Sequence, residues 1–508
     1  MKILLVYPRY PDTFWSFRHA LKFVNKRASF PPLGLLTIAS MLPKDWDLRL
    51  LDLNVDPFKQ KDLDWAEAIY ISAMAIQRKS ATEVIEKARV AGKTVVVGGP
   101  YFTTEFDRIQ GVDHFVLDEA EVTLPSFLED WAAGKPQPVY RSEEKPDITT
   151  TPLPMWKLLD KSAYSSMSLQ YSRGCPFNCE FCDIVVLFGR KPRVKTADQV
   201  VRELQSLYDS GWRAGVFFVD DNLIGNKRHL KSEVLPAITY WQAKHGYPFS
   251  LSTEVSINLA DDDDLMKAMT DAGFFQVFVG VETPNPESLA ECEKGQNENR
   301  DMVAAINKMQ AAGLQVQGGF IVGFDADPPS IFKAQIAFIQ KSGIVTAMVG
   351  LLNAPKGTRL FQRLNKENRM LEDFGGDNTD STLNFEPKMP RKTLIEGYKN
   401  LLETIYSPKH YYERTKLFLK DYNPRIKGRL PHFEFHHVAA FFRSIWKLGI
   451  IEKGRTYYWK LLAFSLFRRP KIFPLAVSLS ITGYHLRKIT EKIVSAPVSP
   501  VSGDGGGA

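Results

Sequence analysis

Along the first 140 residues, short apolar runs alternate with stretches of helical spacing. The runs Lys2–Tyr7, Leu48–Leu53, Ala68–Ser72, Thr94–Val97 and His114–Leu117 predict strands, and Ala81–Ala91 between two of them predicts a helix. This alternation predicts a parallel, doubly wound sheet over residues 1–140, with ligands at the carboxyl ends of its strands. Those ends carry Pro8-Arg9-Tyr10-Pro11, Asp52-Leu53-Asn54, Ala73-Met74-Ala75 and Gly98-Gly99-Pro100. Met74, Gly98, Gly99 and Pro100 are candidate ligand contacts there, since glycine lets a bulky group approach the backbone.

Pro146, Pro152 and Pro154 punctuate residues 141–166, which predicts an irregular linker. A second alternating segment follows over 167–360. Its strands are expected at Met167–Tyr171, Ala214–Val219, Phe249–Glu254, Gln276–Val281, Val316–Ile321 and Ala347–Leu352. Helices are expected near Ala197–Ser210, His229–His245, Asp263–Ala272, Asn299–Ala312 and Ser330–Lys341. Six such units fit a partial (β/α)6 barrel, whose site lies at the strand carboxyl ends. Polar residues collect there: Asp220-Asp221-Asn222, Glu254, Glu282 and Gly323-Phe324-Asp325. Residues 361–490 predict a mainly helical region, with loop material around Phe374-Gly375-Gly376 and a helix near Leu394–Ile405. The Pro-, Ser- and Gly-rich tail, 491–508, is expected to be disordered.

Charge divides the chain unevenly. Between Lys409 and Lys488 there are 17 Lys and Arg against four Asp and Glu, while the remainder holds 48 against 54. The basic block is rich in aromatics, with Phe441-Phe442, Tyr457-Tyr458-Trp459 and Phe464. It is too short to span a bilayer and suits an anionic lipid interface. A helical cap with a basic exterior is the alternative. Nucleic acid ranks last, because no recognisable binding module accompanies the block. The start of the chain reads as a buried strand, not a signal peptide. A cytoplasmic location is expected, on the inner face of a membrane if the basic block binds lipid.

The chemistry concentrates in Tyr171-Ser172-Arg173-Gly174-Cys175-Pro176-Phe177-Asn178-Cys179-Glu180-Phe181-Cys182. Three of the four cysteines of the chain lie there, spaced C-x3-C-x2-C. Three thiolates on one loop can hold three irons of a [4Fe–4S] cluster and leave the fourth open. Structural zinc prefers four ligands, and no second pair lies nearby. Cys292, the leftover, reads as a small core residue.

This loop, with Phe181 before its last cysteine, resembles the signature of the radical S-adenosylmethionine (SAM) enzymes. The resemblance implies that Cys175, Cys179 and Cys182 bind the cluster and that SAM chelates its open iron. Phe181, Glu254 and Glu282 are the implied SAM neighbours, with Asp220 a further candidate; Glu254 and Asp220 are also possible catalytic groups. Structural capping is the other reading of these carboxylates. The preceding doubly wound domain, its Gly98-Gly99-Pro100 turn and the acidic Asp118-Glu119-Ala120-Glu121 resemble the cobalamin-binding class. The acidic stretch departs from that class's usual Gly-Glu-Gly-Glu, and no D-x-H-x-x-G motif supplies a histidine beneath cobalt. His114 is a poor substitute.

Phe14-Trp15-Ser16-Phe17 and Phe30-Pro31-Pro32-Leu33-Gly34-Leu35-Leu36-Thr37 are similar to the group that includes hopanoid C-2 and bacteriochlorophyll side-chain methylases. The resemblance implies methylation of an unactivated carbon of a hydrophobic substrate such as a lipid, with a flavodoxin or ferredoxin as reductant. Oxidation or cyclisation of a tetrapyrrole or other hydrophobic substrate, and a cobalamin sensor without catalysis, are the alternatives.

Overall fold

The computed structural model describes residues 1–371, 375–377, 379–424 and 435–497. Six strands make the first sheet: β1 (Lys2–Tyr7), β2 (Asp47–Asp52), β3 (Ala68–Ser72), β4 (Thr94–Gly98), β5 (His114–Val116) and β6 (Val139–Tyr140). All pair in parallel in the order β2-β1-β3-β4-β5-β6. The run Ile3–Val6 is wholly buried because helices cover both faces: Leu4 and Val6 enter one core, Ile3 and Leu5 the other. The order reverses between β1 and β3, which makes a crevice at their carboxyl ends. The sixth strand lies between Pro138 and the linker and is two residues long, too short to leave a sequence pattern.

The linker is packed. Tyr164 donates from its hydroxyl to Asp52 Oδ2 (3.0 Å), and Arg27 and Ala28 donate backbone N–H groups to Ala163.

The second sheet uses β7 (Ser166–Leu169), β10 (Gly215–Phe218), β11 (Ser250–Val255), β12 (Phe274–Glu282), β13 (Gln315–Val322) and β14 (Ala347–Leu351), all parallel and in sequential order. Between β7 and β10, β8 (Ser172–Arg173) and β9 (Arg193–Val194) pair antiparallel. The barrel is open, with β7 and β14 at its edges. Helices cover its outer face. Three of them start on side-chain caps, Thr196, Asp262 and Asp301, each accepting from a backbone N–H three residues on.

The third region is helical: Arg391–Tyr406, Pro408–Asp421, Phe435–Ser444 running on into the wider-turned Ile445–Ile451, Arg455–Arg468 and Phe473–Ser495. It covers the free edge of β14. Tyr406 donates to Ala347 O (2.5 Å) and accepts from Ala347 N (3.2 Å), while Tyr398 donates to Val349 O (3.2 Å). Capping an edge in this way satisfies backbone groups that would otherwise pair with another chain. The last helix also seats the start of the chain: His485 Nε2 donates to Phe14 O (3.0 Å) and Lys492 Nζ to Asp12 O (3.1 Å).

The expected disorder from 491 onward is corrected. Residues 491–495 complete the last helix, because Ile489 and Ile493 still pack on the core. Residues 498–508 and Phe374 lie outside the described residues.

Candidate radical site

The cysteine loop is fixed at both ends before it reaches its thiols. β8 and β9 zip its stem, pairing Ser172 with Val194 and Arg173 with Arg193. Gly174 turns at φ +90°, where a Cβ would meet Gly189 O at 2.9 Å and Lys191 O at 3.1 Å. Only glycine fits that close approach. Asp220 accepts from Tyr171 N (3.2 Å), Ser172 N and Ser172 Oγ (2.5 Å), and Asp221 accepts from Gly174 N (3.0 Å). The part the structure gives Asp220 is to hold the loop, its oxygens accepting from the loop's own backbone and Ser172. Burial pushes Asp220 up to about 7 and Asp221 up to about 6, against the opposing hydrogen bonds.

The far side of the loop is held by the third region and its neighbour. Arg363 forks onto Glu180 (Nε 2.8 Å, Nη2 3.0 Å) and Arg359 Nη2 donates to Asn178 O (2.6 Å). Glu180 N donates to Cys292 O (3.0 Å). Cys292 itself is buried with Ile321, Phe324 and Phe385, against which Phe181 packs. It behaves as the core residue expected, and burial raises its thiol.

Cys175, Cys179 and Cys182 are half-buried and free of disulfides. Asn222 Nδ2 lies 4.0 Å from Cys175 Sγ, and Gln296 Nε2 lies 3.7 Å from Cys179 Sγ. Burial raises the thiols of Cys175 and Cys182. The ammonium of Lys294 opposes that rise at both and interacts with Cys179 as well. Among the described residues no three His, Cys, Asp or Glu side chains converge on one metal ion. Three free thiols on one loop, beside one buried cation and two amide donors, fit a [4Fe–4S] cluster.

Glu282 is where Lys294 is anchored, Nζ to Oε1 at 2.7 Å. The pair changes the expectation for Glu282: its carboxylate is engaged with a lysine aimed at the thiols. The residue sits at φ +64°, beside a register shift in β12, which turns its side chain toward Lys294.

Glu254 is different. It lies on the inner face of the sheet, level with Phe278 and Gln317. Burial, then the charges of Asp221 and Asp220, push it up to about 8. Trp15 reaches in from the first domain, 5.3 Å from Phe278 and with its N–H 3.1 Å from Met348 Sδ. One level further on lie Gly280, Gly319 and Met348.

The first sheet presents its crevice through Met74, 41% exposed, and the Gly98-Gly99-Pro100 turn. The two glycines have an internal cause that the sequence did not reveal. A Cβ on Gly98 would lie 2.6 Å from Val116 O, and one on Gly99, at φ +91°, 2.6 Å from Ser72 Oγ. Pro100 is the first residue of the following helix. The turn is thus a bare ridge at the strand ends, beside an exposed thioether, and this surface fits a flat corrinoid. His114 sits at the opposite end of β5, with Nδ1 2.8 Å from Gln137 O and its ring against Phe127 and Trp131.

The acidic stretch after β5 has a role that sequence reading missed. Arg173 donates to Glu119 (2.8 Å) and Glu121 (2.7 Å), and Arg193 to both oxygens of Glu119 (2.8 and 2.7 Å). All four side chains are at most 14% exposed. The Arg193 side chain is largely buried in this pairing, and Lys195 two residues on is buried and pairs with Glu203.

Comparison with known proteins agrees with this geometry. The B12 binding domain matches residues 24–128, the Radical SAM superfamily matches 169–334, and a domain of unknown function, DUF4070, matches 358–497. An uncharacterized methyltransferase of Synechocystis is 41% identical over 97% of this chain and 92% of its own length. The hopanoid C-2 methylase of Rhodopseudomonas palustris is 32% identical over 92% of this chain and 90% of its own. In fold, the chain is similar to the radical SAM methyltransferase TsrM of Kitasatospora setae, solved with cobalamin and a [4Fe-4S] cluster. That likeness has a TM-score of 0.62 at 14% identity, covering 97% of this chain and 99% of the other. A cysteine loop locked to a corrinoid-type sheet, together with relatives that share nearly the full length, shows that the chain belongs to the cobalamin-dependent radical SAM methyltransferases.

Proposed function

We propose that this methyltransferase adds a methyl group to an unactivated carbon of a lipid, with C-2 of a hopanoid the leading candidate. The observation that carries the reading is the group of apolar side chains on the inner face: Trp15 lies against Phe278 (5.3 Å) and Met348 (3.1 Å), and Phe278 is level with Glu254. A rigid hydrocarbon skeleton buries well against such a surface and needs few polar contacts. The similarity to a hopanoid C-2 methylase supports the same substrate class.

When bound, the cluster with SAM supplies a hydrogen-abstracting deoxyadenosyl radical, and cobalamin supplies the methyl group. Cys175, Cys179 and Cys182 are the proposed cluster ligands, steered by Lys294, Asn222 and Gln296. Glu254 is the proposed SAM contact, and Phe181 shields the loop. Met74 and the Gly98-Gly99-Pro100 ridge are the proposed corrinoid surface. Two SAM molecules and two electrons balance the reaction. One SAM leaves as 5′-deoxyadenosine and methionine, the other as S-adenosylhomocysteine, and the substrate exchanges hydrogen for methyl. A flavodoxin or ferredoxin is the proposed donor, and the inner face of a membrane the proposed location. The working division is 1–140 for the corrinoid, 141–166 as connector, 167–360 for radical chemistry and 361–497 as the helical region.

The test is anaerobic turnover of reconstituted enzyme with an unmethylated pentacyclic hopanoid and a strong reductant. A 2-methyl product together with equal 5′-deoxyadenosine and S-adenosylhomocysteine supports the reading. Deoxyadenosine without S-adenosylhomocysteine would instead indicate oxidation or cyclisation, and the lipid proposal would fall.

A further inference from the structure

The helices of the third region leave a broad apolar stripe uncovered. Val438, Phe442, Trp446 and Ile450 recur every four residues along one helical stretch and are 38%, 63%, 63% and 50% exposed. Four-residue steps return to one side of a helix. The next helix adds Trp459, Leu466 and Phe467, the last 83% exposed. The two stretches adjoin: Trp459 Nε1 donates to Gly449 O at 2.9 Å, and a Cβ on Gly449 would touch the Trp459 ring at 2.9 Å. The stripe is therefore one surface built from two helices.

The charges around it have one sign. Arg443, Lys453, Arg455, Lys460, Arg468 and Lys471 are all exposed. From 435 to 471 the sequence contains a single acid, Glu452, and it is already paired with Lys447 (3.6 Å) and Arg487 (3.1 Å). No helix among the described residues is long and apolar enough to cross a membrane. Isolated exposed apolar residues are ordinary, but a contiguous stripe with a cationic rim marks an interaction surface.

We propose that this face docks the enzyme on the surface of an anionic phospholipid bilayer, with the aromatic stripe in the headgroup–acyl boundary and the cations at the phosphates. The charge pattern selects this occupant. A second copy of the chain would bring two cationic rims together, which like-charge repulsion opposes. Nucleic acid would leave Ile450, Ile451 and Leu466 without partners, since aliphatic side chains do not stack on bases. Phe, Trp and Ile embedded beside Lys and Arg form the combination that lies in an interface without spanning it. The inference deepens the lipid-substrate reading, because a water-insoluble substrate has to be collected from the bilayer that holds it.

The test is co-sedimentation of the full-length reconstituted enzyme with phosphatidylcholine vesicles, with and without phosphatidylglycerol. Wild type should pellet with the anionic vesicles, pellet poorly with neutral ones and release at high salt. Arg468→Gln with Lys471→Gln should lower partitioning roughly twenty- to thirtyfold. Phe442→Ser, Trp446→Ser and Phe467→Ser together should abolish it. Melting temperature and substrate-free SAM cleavage should be unchanged in both variants, which excludes misfolding. Absence of wild-type binding to anionic vesicles, equal binding by the variants, or a dimer whose formation needs Trp446 would each overturn the proposal. Vesicle binding needs no substrate. Binding without hopanoid methylation would sink the substrate reading and leave this one standing.

Discussion

Arg173, two residues before the first cysteine of the loop, is bound by Glu121 of the first domain at 2.7 Å, with both side chains buried. The contact ties the corrinoid-type sheet directly to the cluster loop. Buried pairs of this kind are costly to break singly, because the remaining charge is left unpaired.

Glu121→Gln should therefore destabilise the protein at neutral pH, and the deficit should shrink in acid. Burial alone would raise the Glu121 carboxyl, but the Arg173 guanidinium outweighs it and holds the group at about 2 against an ordinary 4.5. A depressed carboxyl contributes stability that is complete above 4.5 and is lost as pH falls toward 2; the full window corresponds to about 3 kcal/mol. Denaturant unfolding of both proteins at pH 7 and pH 4 measures it. A pH-independent difference would show that the charge of Glu121 is not what matters.

Lys294 faces the three thiols as a buried cation. Exchanging the pair together, Lys294→Met with Glu282→Gln, avoids leaving an unpaired carboxylate. The cation favours the reduced cluster, so its loss should make the midpoint potential more negative, on the order of 50–100 mV. EPR-monitored redox titration reads the shift. An unchanged potential would assign Lys294 to packing alone.

Glu254, pushed up to about 8, is protonated near neutrality. A carboxylate that accepts from SAM has to ionise first, so binding should release a proton below pH 8. Affinity should rise toward about tenfold per pH unit in that range and then level. Calorimetry in buffers of different ionisation enthalpy detects the proton. Glu254→Gln should bind SAM more weakly and without the pH slope. A wild type with no proton release would place Glu254 away from SAM.

Trp15 closes the inner face of the barrel from another domain. Trp15→Ala should leave SAM cleavage intact while the methylated product falls by about tenfold or more, from a raised KM. Product and deoxyadenosine assayed side by side separate these effects. A parallel loss of both would mean that Trp15 supports the fold and not the substrate.

Much of this was legible in the chain. Buried runs such as Ala68–Ser72 and capped helices such as Asp263–Asp271 announce themselves through local pattern. The three cysteines carry their chemistry in their spacing. What stayed hidden depends on approach across the fold. Glu119 and Glu121 meet Arg173 and Arg193 from more than 50 residues away, and nothing local to either stretch records the other. Asp220 ends one barrel strand, but the backbone it holds belongs to another strand's exit. Lys294 had no signal at all, being one lysine in a charged helix end. The glycines of the Gly98-Gly99 turn are visible in the sequence, but Val116 O and Ser72 Oγ, the neighbours that demand them, are not.

The hydrogen bond from His485 to Phe14 joins the helix Phe473–Ser495 to a segment made 471 residues earlier. On the ribosome, the seat for residues 13–21 does not exist until Phe473–Ser495 has been made. The first sheet can form early, yet the wall bearing Trp15 closes only once that helix has emerged. Chains cut short before Phe473 would emerge with that wall unmoored, natural clients for chaperones and proteases. Quality control over this enzyme is thereby written into the order in which its parts are synthesised.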